Sequence, residues 1–223
     1  MTAITIAGVG PGDPELVTLK ALNEARMSDV ILVPRSSEDA PGMAERIMTH
    51  HLPDRELVPM IFPMTRDTFT RDTLIRQQLE TLRPRLADRR IFFPVIGDSV
   101  LYSTGKWLID GMMEVLGTVD VRLIPGISAH SSAACEAGEF LAMSDEALTI
   151  IPGTASPEKI SALLKVSDNA VIYKPSAVHG LNVSGFGTMI CVEHSGDPDR
   201  RRIITGHEAC ADVGYMSVIM LKR

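Results

Sequence analysis

Three short glycine-bearing segments carry residue types that suit ligand binding better than core packing. They are Gly8–Asp13, which reads Gly-Val-Gly-Pro-Gly-Asp, Ile96–Thr104, which opens Ile-Gly-Asp-Ser, and Ile124–Ala129, which reads Ile-Pro-Gly-Ile-Ser-Ala. Glycine lets the backbone turn sharply and approach a ligand without side-chain interference. Each segment follows an apolar run typical of a buried strand. Since ligands collect at the carboxyl ends of strands in open α/β sheets, the segments predict turns that face one ligand.

The first turn is close to a dinucleotide-binding loop but departs from it in several respects. The G-x-G-x-x-G pattern requires Gly or Ala where this chain has Asp13. Pro11 removes an amide that a pyrophosphate would use. The next apolar run ends at Arg35 without an acidic residue for a ribose, because Asp29 lies at its other end. These residues disfavour a nicotinamide cofactor and leave open a tight turn that binds nothing.

The elements that must position these turns follow from hydrophobic periodicity. Apolar β-branched runs alternate with helical spacing, which predicts an α/β fold with largely parallel sheets. The predicted strands are Ala3–Val9, Asp29–Pro34, Ile91–Ile96, Val119–Ile124, Ala147–Ile151, Ala170–Lys174, Gly187–Glu193 and Tyr215–Leu221. The predicted helices are Leu16–Met27, Met43–His51, Phe69–Arg89, Thr104–Leu116, Ser128–Ala137 and Pro157–Leu164. The break at Pro125-Gly126 divides the chain into two domains, 1–125 and 126–223.

Composition excludes several classes of protein. The 223 residues carry a net charge of −6, with basic residues scattered apart from Arg200–Arg202, which we interpret as a solvated turn; this argues against nucleic-acid binding. Neither a signal peptide nor a membrane-spanning run is apparent. The spacing of Cys135, Cys191 and Cys210 fits neither disulfides nor a metal site, and no histidine pattern predicts a metal. We therefore expect a cytoplasmic protein without a metal ion.

Together the three turns resemble the tetrapyrrole methylases, whose members carry a G-x-G-P-G-D opening, a central G-D-x-x-x-Y and a P-G-[IV]-[ST]-[AS] segment. The resemblance runs from Ile4 to Ile219. Within the family, Gly12–Ala21 and Leu101–Thr104 are most similar to the members that methylate carbon 20 of precorrin-2. The chain departs from the family where Ser99-Val100 replaces a common Pro-Met and where Tyr173-Lys174-Pro175 replaces a Met-containing segment.

The resemblance implies two α/β domains with a cofactor cleft between them, the class III methyltransferase fold, and a homodimer. It implies transfer of a methyl group from S-adenosylmethionine to carbon 20 of precorrin-2, or of its cobalt-containing counterpart cobalt-factor II, in cobalamin biosynthesis. The alternatives are another activity of the family, on a different corrin position, diphthine or ribosomal RNA, and a non-catalytic nucleotide-binding module. Neither a nucleic acid nor a membrane is an expected partner.

The resemblance also implies which residues contact the cofactor, namely Pro11, Ile96, Gly97, Asp98, Leu101, Ser128, Ala129 and Lys174. Asp98 can accept from an ammonium or a ribose hydroxyl, although an Asp after Gly also commonly bonds its own backbone. Tyr102 and His130 lie beside the turns and are candidates for taking a proton from the substrate carbon. A histidine satisfied at a helix start is an equal alternative for His130.

The tetrapyrrole substrate carries about eight carboxylates, so an acidic protein needs cations gathered at its site. Arg35, at the end of the second predicted strand, is the best-placed candidate for binding them. Arg66 and Arg71 are further candidates, and each is also explained as a solvated residue.

Overall fold

The computed structural model describes residues 1–65, 67–175, 183, 185–206, 209 and 213–223. Arg66, a predicted substrate contact, lies outside this set. The chain divides into two compact units, Met1–Ser128 and Ala129–Arg223. The expected boundary after Pro125 lies close to this division.

The first unit is built on a five-stranded parallel sheet in the order β3-β2-β4-β1-β5. Its strands are β1 (Ala3–Gly8), β2 (Val30–Arg35), β3 (Leu57–Ile61), β4 (Arg90–Val95) and β5 (Asp120–Ile124). Its helices are α1 (Leu19–Met27), α2 (Met43–His51), α3 (Thr68–Leu86) and α4 (Gly105–Leu116), with a 3₁₀ turn at Pro14–Leu16.

The predicted α/β fold is confirmed. Strand β3 was missed, because Pro59 interrupts its pattern; proline is tolerated there because β3 is an edge strand.

Apolar layers cover both faces of this sheet, as a parallel sheet requires. Successive residues of β1 point to opposite faces, so Ile4 and Ile6 pack into one cluster while Ala7 joins the other. The first cluster includes Ile75 of α3 and Leu108 of α4, and the second includes residues of α1 and α2. The two clusters bury both faces of the sheet, and the glycine turns follow the carboxyl ends of β1, β4 and β5.

The second unit contains a mixed five-stranded sheet in the order β6-β7-β10-β8-β9. Its elements are β6 (Leu148–Pro152), β7 (Asn169–Tyr173), β8 (Thr188–Glu193), β9 (Arg202–Thr205), β10 (Ser217–Lys222), α5 (Ala129–Ala137) and α6 (Pro157–Val166). Among the described strands of this unit, only β6 and β7 pair in parallel, so the largely parallel sheet expected for the whole chain is wrong here. Residues 194–201 are too few for a crossover helix, so β8 and β9 pair antiparallel. Arg202, interpreted as part of a turn, begins β9.

Among the described residues, no cluster of three or more histidine, cysteine or acidic side chains is arranged to hold a metal ion. In that same part of the chain, no helix is both long enough and apolar enough to span a bilayer.

Candidate functional site

The first two glycine turns are joined by backbone hydrogen bonds at the carboxyl edge of the parallel sheet. Gly8, the last residue of β1, lies opposite Val95, the last residue of β4. Beyond the strands, the Gly10 amide donates to the Gly97 carbonyl at 3.3 Å, and the Gly97 amide donates to the Gly10 carbonyl at 2.8 Å. Both glycines have positive φ, at +80° and +73°, which other residues rarely adopt. Glycine therefore lets each turn bend while its backbone bonds to the other.

The third turn packs against the other two without a side chain between them. A Cβ added at Gly126 would lie 2.4 Å from the Gly97 carbonyl oxygen and 2.5 Å from the Gly8 carbonyl carbon. A Cβ added at Gly8 would lie 2.5 Å from the same Gly97 oxygen and 2.6 Å from the Gly126 nitrogen. All these neighbours are backbone atoms, so they cannot move aside as a flexible side chain would. Three segments that are distant in sequence therefore form one continuous backbone cradle within the first unit.

Asp13 and Asp98 both stabilise the turns in which they occur. The Asp13 carboxylate caps the 3₁₀ turn by accepting from the Glu15 amide at 2.8 Å. One oxygen of Asp98 accepts from the Val100 amide at 2.8 Å, which is the local turn bond considered from the sequence. The other oxygen of Asp98, Oδ2, takes no part in that bond.

The segment after Asp98 holds an orphaned hydroxyl and a strained residue. Ser99 is 5% exposed, and its Oγ has no hydrogen-bond partner among the described residues. Tyr102 has a φ of +52°, in the left-handed region that aromatic residues avoid. Partial burial raises the pKa of the Tyr102 phenol above its ordinary value of 10.0, so the phenol is protonated at neutral pH. Ser103 has a structural role, because its hydroxyl accepts from the Gly105 amide at the start of α4.

In the second unit, His130 at the start of α5 is held by Tyr173 at the end of β7. The His130 Nδ1 lies 2.7 Å from the Tyr173 hydroxyl, which also accepts from the His130 amide at 3.2 Å. The two rings meet edge to face at 5.9 Å. The next residue, Lys174, has a φ of +53° and places its ammonium 5.1 Å from the Tyr215 ring centroid. The His130 ring is thus fixed through Nδ1. Its partner Tyr173 was not predicted, although a polar side chain at a strand end was a usable signal.

Arg35 and Arg71 already have partners in the fold. Arg35 donates from Nε and Nη2 to the two oxygens of Glu45, at 2.6 and 2.5 Å. The hydrogen bonds from Arg35 are the main cause that lowers the pKa of Glu45, which also accepts from the Gly42 amide. The Arg71 guanidinium lies 4.1 Å from the Trp107 ring centroid and donates to Asp72. Sequence reasoning missed Glu45; its position in the first turn of α2, where an acidic residue favours the helix, was the available signal.

The other end of the parallel sheet is not suited to a large ligand. A cavity of about 100 Å³ lies there, lined by residues that include Ala3, Glu24, Arg90 and Arg122. Arg122 is paired with Glu24 at 2.9 Å. A second cavity at this end, beside Asp29 and Arg55, measures about 200 Å³, and both are smaller than usual ligand pockets, which enclose about 300–1,000 Å³. We place the candidate site at the carboxyl edge because the three glycine turns meet there.

Of the predicted cofactor contacts, the structure brings Gly97 directly into the cradle formed with Gly8, Gly10 and Gly126. Pro11 directly follows Gly10, while Ile96 and Asp98 flank Gly97 in the second turn and Leu101 lies further along it. Ser128 closes the first unit, and Ala129 and Lys174 belong to the second. The Gly10 and Gly97 backbone groups are used in holding the turns together, so the cradle fixes the position of this edge, and Asp98 and Ser99 follow Gly97 in the second turn.

Comparison with known proteins matches residues 3–208 to the family described as Tetrapyrrole (Corrin/Porphyrin) Methylases. A probable cobalt-precorrin-2 C(20)-methyltransferase of Methanocaldococcus jannaschii is 31% identical over 152 residues, 68% of this chain and 64% of that protein. A precorrin-2 C(20)-methyltransferase of Sinorhizobium is 26% identical over 232 residues, 96% of this chain and 92% of that protein. The first of these matches spans less than two thirds of its relative.

Solved structures share the fold over nearly the whole chain. A cobalamin-synthesis-related protein, CobF, from Corynebacterium diphtheriae has a TM-score of 0.78 at 22% identity, covering 100% of this chain and 98% of that one. Uroporphyrin-III C-methyl transferase from Thermus thermophilus, complexed with S-adenyl homocysteine, has a TM-score of 0.70 at 17% identity, covering 99% and 92%.

Proposed function

The chain belongs to the tetrapyrrole methylase family, as its three glycine turns predicted, and we propose that it is an S-adenosylmethionine-dependent C-methyltransferase acting on carbon 20 of precorrin-2 or cobalt-factor II. This reaction belongs to cobalamin biosynthesis. The relatives from Methanocaldococcus and Sinorhizobium, both named for methylation at carbon 20, support the choice of substrate.

The observation that carries the proposal is the backbone cradle formed by Gly8, Gly97 and Gly126. It lies outside the carboxyl ends of parallel strands, where open α/β sheets bind their ligands. The close packing of the three turns fixes their positions at that edge, and the second turn contains Ser99, whose buried hydroxyl has no partner among the described residues. The proposed cofactor contacts are Pro11, Ile96, Gly97, Asp98, Leu101, Ser128, Ala129 and Lys174.

S-adenosylmethionine supplies a methyl group on a sulfonium that is itself a good leaving group. The protein therefore needs mainly to align donor and acceptor, and positioning of this kind contributes about 7–11 kcal/mol in favourable cases. The cradle provides alignment because the first two turns are joined by backbone hydrogen bonds and the third packs against them. In this scheme Oδ2 of Asp98 accepts a hydrogen bond from the donor's ammonium or ribose.

The acceptor carbon must lose a proton, and His130 is the stronger of the two candidates for taking it. Its ring is oriented by the bond between Nδ1 and Tyr173, in the way that a second group orients a general base. Tyr102 has a raised pKa and is protonated at neutral pH. We therefore propose His130 as the base and keep Tyr102 as the second candidate.

Substrate carboxylates are proposed to bind Arg35 and Arg71, with Arg66 as a third contact outside the described residues. Arg35 uses two of its three nitrogens on Glu45, so it offers a substrate one nitrogen and a position fixed by that pair. The Arg71 guanidinium lies 4.1 Å from the Trp107 ring centroid, and this contact holds it in place. Guanidinium groups that are already held in place lose less side-chain entropy on binding.

Incubation of the purified protein with methyl-labelled S-adenosylmethionine tests the proposal. Precorrin-2 and cobalt-factor II are offered separately, and we expect a gain of one methyl group in one or both by mass spectrometry, at carbon 20 by NMR. Methylation at another position would assign a different activity of the same family. Binding of the donor without turnover on any tetrapyrrole would indicate a non-catalytic module.

We further propose that the protein acts in the cytoplasm as a homodimer. The support for a dimer is the family membership alone. Light scattering of the purified protein measures its mass directly, and a mass close to 24.2 kDa at micromolar concentration would contradict the dimer.

A further inference from the structure

The hydroxyl of Ser99 is a buried polar group without a hydrogen-bond partner in the part of the chain described. Ser99 is 5% exposed, and it lies two residues after Gly97 in the second turn. Buried hydroxyls are nearly always paired, because leaving one unpaired forfeits its bonds to water. The neighbouring turn bond does not involve it, since the Asp98 carboxylate accepts from the Val100 amide instead.

The same turn carries a second unfavourable feature. Tyr102, three residues further on, is held at a φ of +52° although it is 43% exposed and aromatic. Conformations of this kind persist where the surrounding structure imposes them, often at sites that bind ligands. The turn from Gly97 to Tyr102 therefore has both an unsatisfied hydroxyl and backbone strain directly beside the cradle.

We infer that Ser99 is a positioning residue whose hydroxyl hydrogen-bonds to the nucleoside methyl donor. This inference rests on the proposed function and deepens it. A hydroxyl donates one hydrogen bond and accepts two, so it can pair with a ribose hydroxyl, a carboxylate or an amine of the donor. The Ser99 oxygen exposes less than 1 Å² in the structure, so the bond requires the turn around it to shift when the donor binds.

The variant Ser99→Ala separates this role from a structural one, because it removes the hydroxyl and keeps the Cβ. Without ligand, its thermal midpoint should equal or exceed that of the wild type by about 2–4 °C, since an unsatisfied group is lost. Its affinity for S-adenosylhomocysteine, measured by calorimetry, should fall about two- to twelvefold, the range for one net hydrogen bond. The KM for S-adenosylmethionine should rise by a similar factor, with kcat nearly unchanged.

Ser103→Ala is the matched control in the same turn. Its hydroxyl accepts from the Gly105 amide, so its loss should lower the thermal midpoint and leave the affinity for S-adenosylhomocysteine at the wild-type value. The two serine variants should thus show opposite patterns.

Two results would overturn the inference while leaving the proposed function in place. One is a Ser99→Ala protein that binds S-adenosylhomocysteine as tightly as the wild type. The other is a Ser99→Ala protein that loses affinity together with thermal stability, which would assign Ser99 a structural role. A wild-type protein that binds neither S-adenosylmethionine nor S-adenosylhomocysteine would instead refute the proposed function itself.

Discussion

Substitution of Gly126 by alanine tests whether the three turns approach one another as closely as the structure shows. The added Cβ would lie 2.4 Å from the Gly97 carbonyl oxygen. Optimal contacts between heavy atoms lie at about 3.5–4.0 Å, so the turns must separate by roughly 1 Å. The φ of Gly126 is outside the left-handed region, and the steric clash is therefore the main cause of any effect.

The expected loss of stability follows from that clash. Overpacking that forces backbone to move costs about 1–3 kcal/mol. For a chain of this size each kcal/mol lowers the thermal midpoint by about 2–4 °C, so Gly126→Ala should melt about 2–12 °C below the wild type. A 1 Å displacement of groups that align reactants can lower the rate about 10²-fold, equivalent to about 2.7 kcal/mol, so turnover should fall by an amount comparable to the loss of stability.

Differential scanning fluorimetry measures the loss of stability, the methyl-transfer assay measures turnover, and calorimetric titration with S-adenosylhomocysteine measures donor binding. Gly187→Ala serves as the control, because its added Cβ has no atom within 4 Å and its φ is not left-handed. We expect Gly187→Ala to stay within about 0.5 kcal/mol of the wild type in stability. Wild-type melting and wild-type binding in Gly126→Ala would refute the close approach of the turns, and with it the site built on them.

Three further predictions concern charge and proton transfer. The pKa of Glu45 is lowered in the folded protein by Arg35, so the pair stabilises the fold above the ordinary glutamate value of 4.5 and this contribution is lost as the pH falls through the folded pKa. Glu45→Gln should therefore lower the thermal midpoint at neutral pH and reduce its decline in acid; an unchanged pH profile would contradict this. His130→Gln should lower kcat about 10²–10⁴-fold with donor affinity retained, and wild-type turnover at saturating substrate would withdraw its role as base. The KM for the tetrapyrrole should rise with ionic strength, whereas a KM independent of salt would count against Arg35 and Arg71 as carboxylate contacts.

The strands and helices that carry the turns were predictable because their patterns are strong. The strands that begin at Ala3 and Arg90 read as continuous apolar runs, which is typical of strands buried on both faces. The weak patterns were missed. Pro59 breaks the pattern of β3, and β9 is mostly exposed, so neither reads as a strand. The antiparallel pairing in the second unit depends on the length of the connections between its strands. Hydrophobic periodicity gives no information about the direction in which two strands pair.

Part of the candidate site could also be predicted. Glycine content and position identified the turns, because only glycine permits such bends and close approach. The pairing of Arg35 with Glu45, and of His130 with Tyr173, depends on contacts between separate elements. A single sequence does not show which side chains of separate elements meet, so these pairs could not be predicted. The orphaned hydroxyl of Ser99 is a property of packing alone and needed coordinates to be seen.

The bare backbone at the meeting point of the turns also limits how this protein can be redesigned. A side chain at Gly8 would meet Gly97 and Gly126, a side chain at Gly126 would meet Gly97 and Gly8, and Gly97 has a left-handed φ of +73°, so a change at one of them cannot be relieved by a change at a second. A library intended to accept altered methyl donors should keep these three positions fixed and randomise Ser99 and Val100 instead. Exposed Val100 tolerates new side chains, and variation there alters the surface beside the cradle without displacing its backbone.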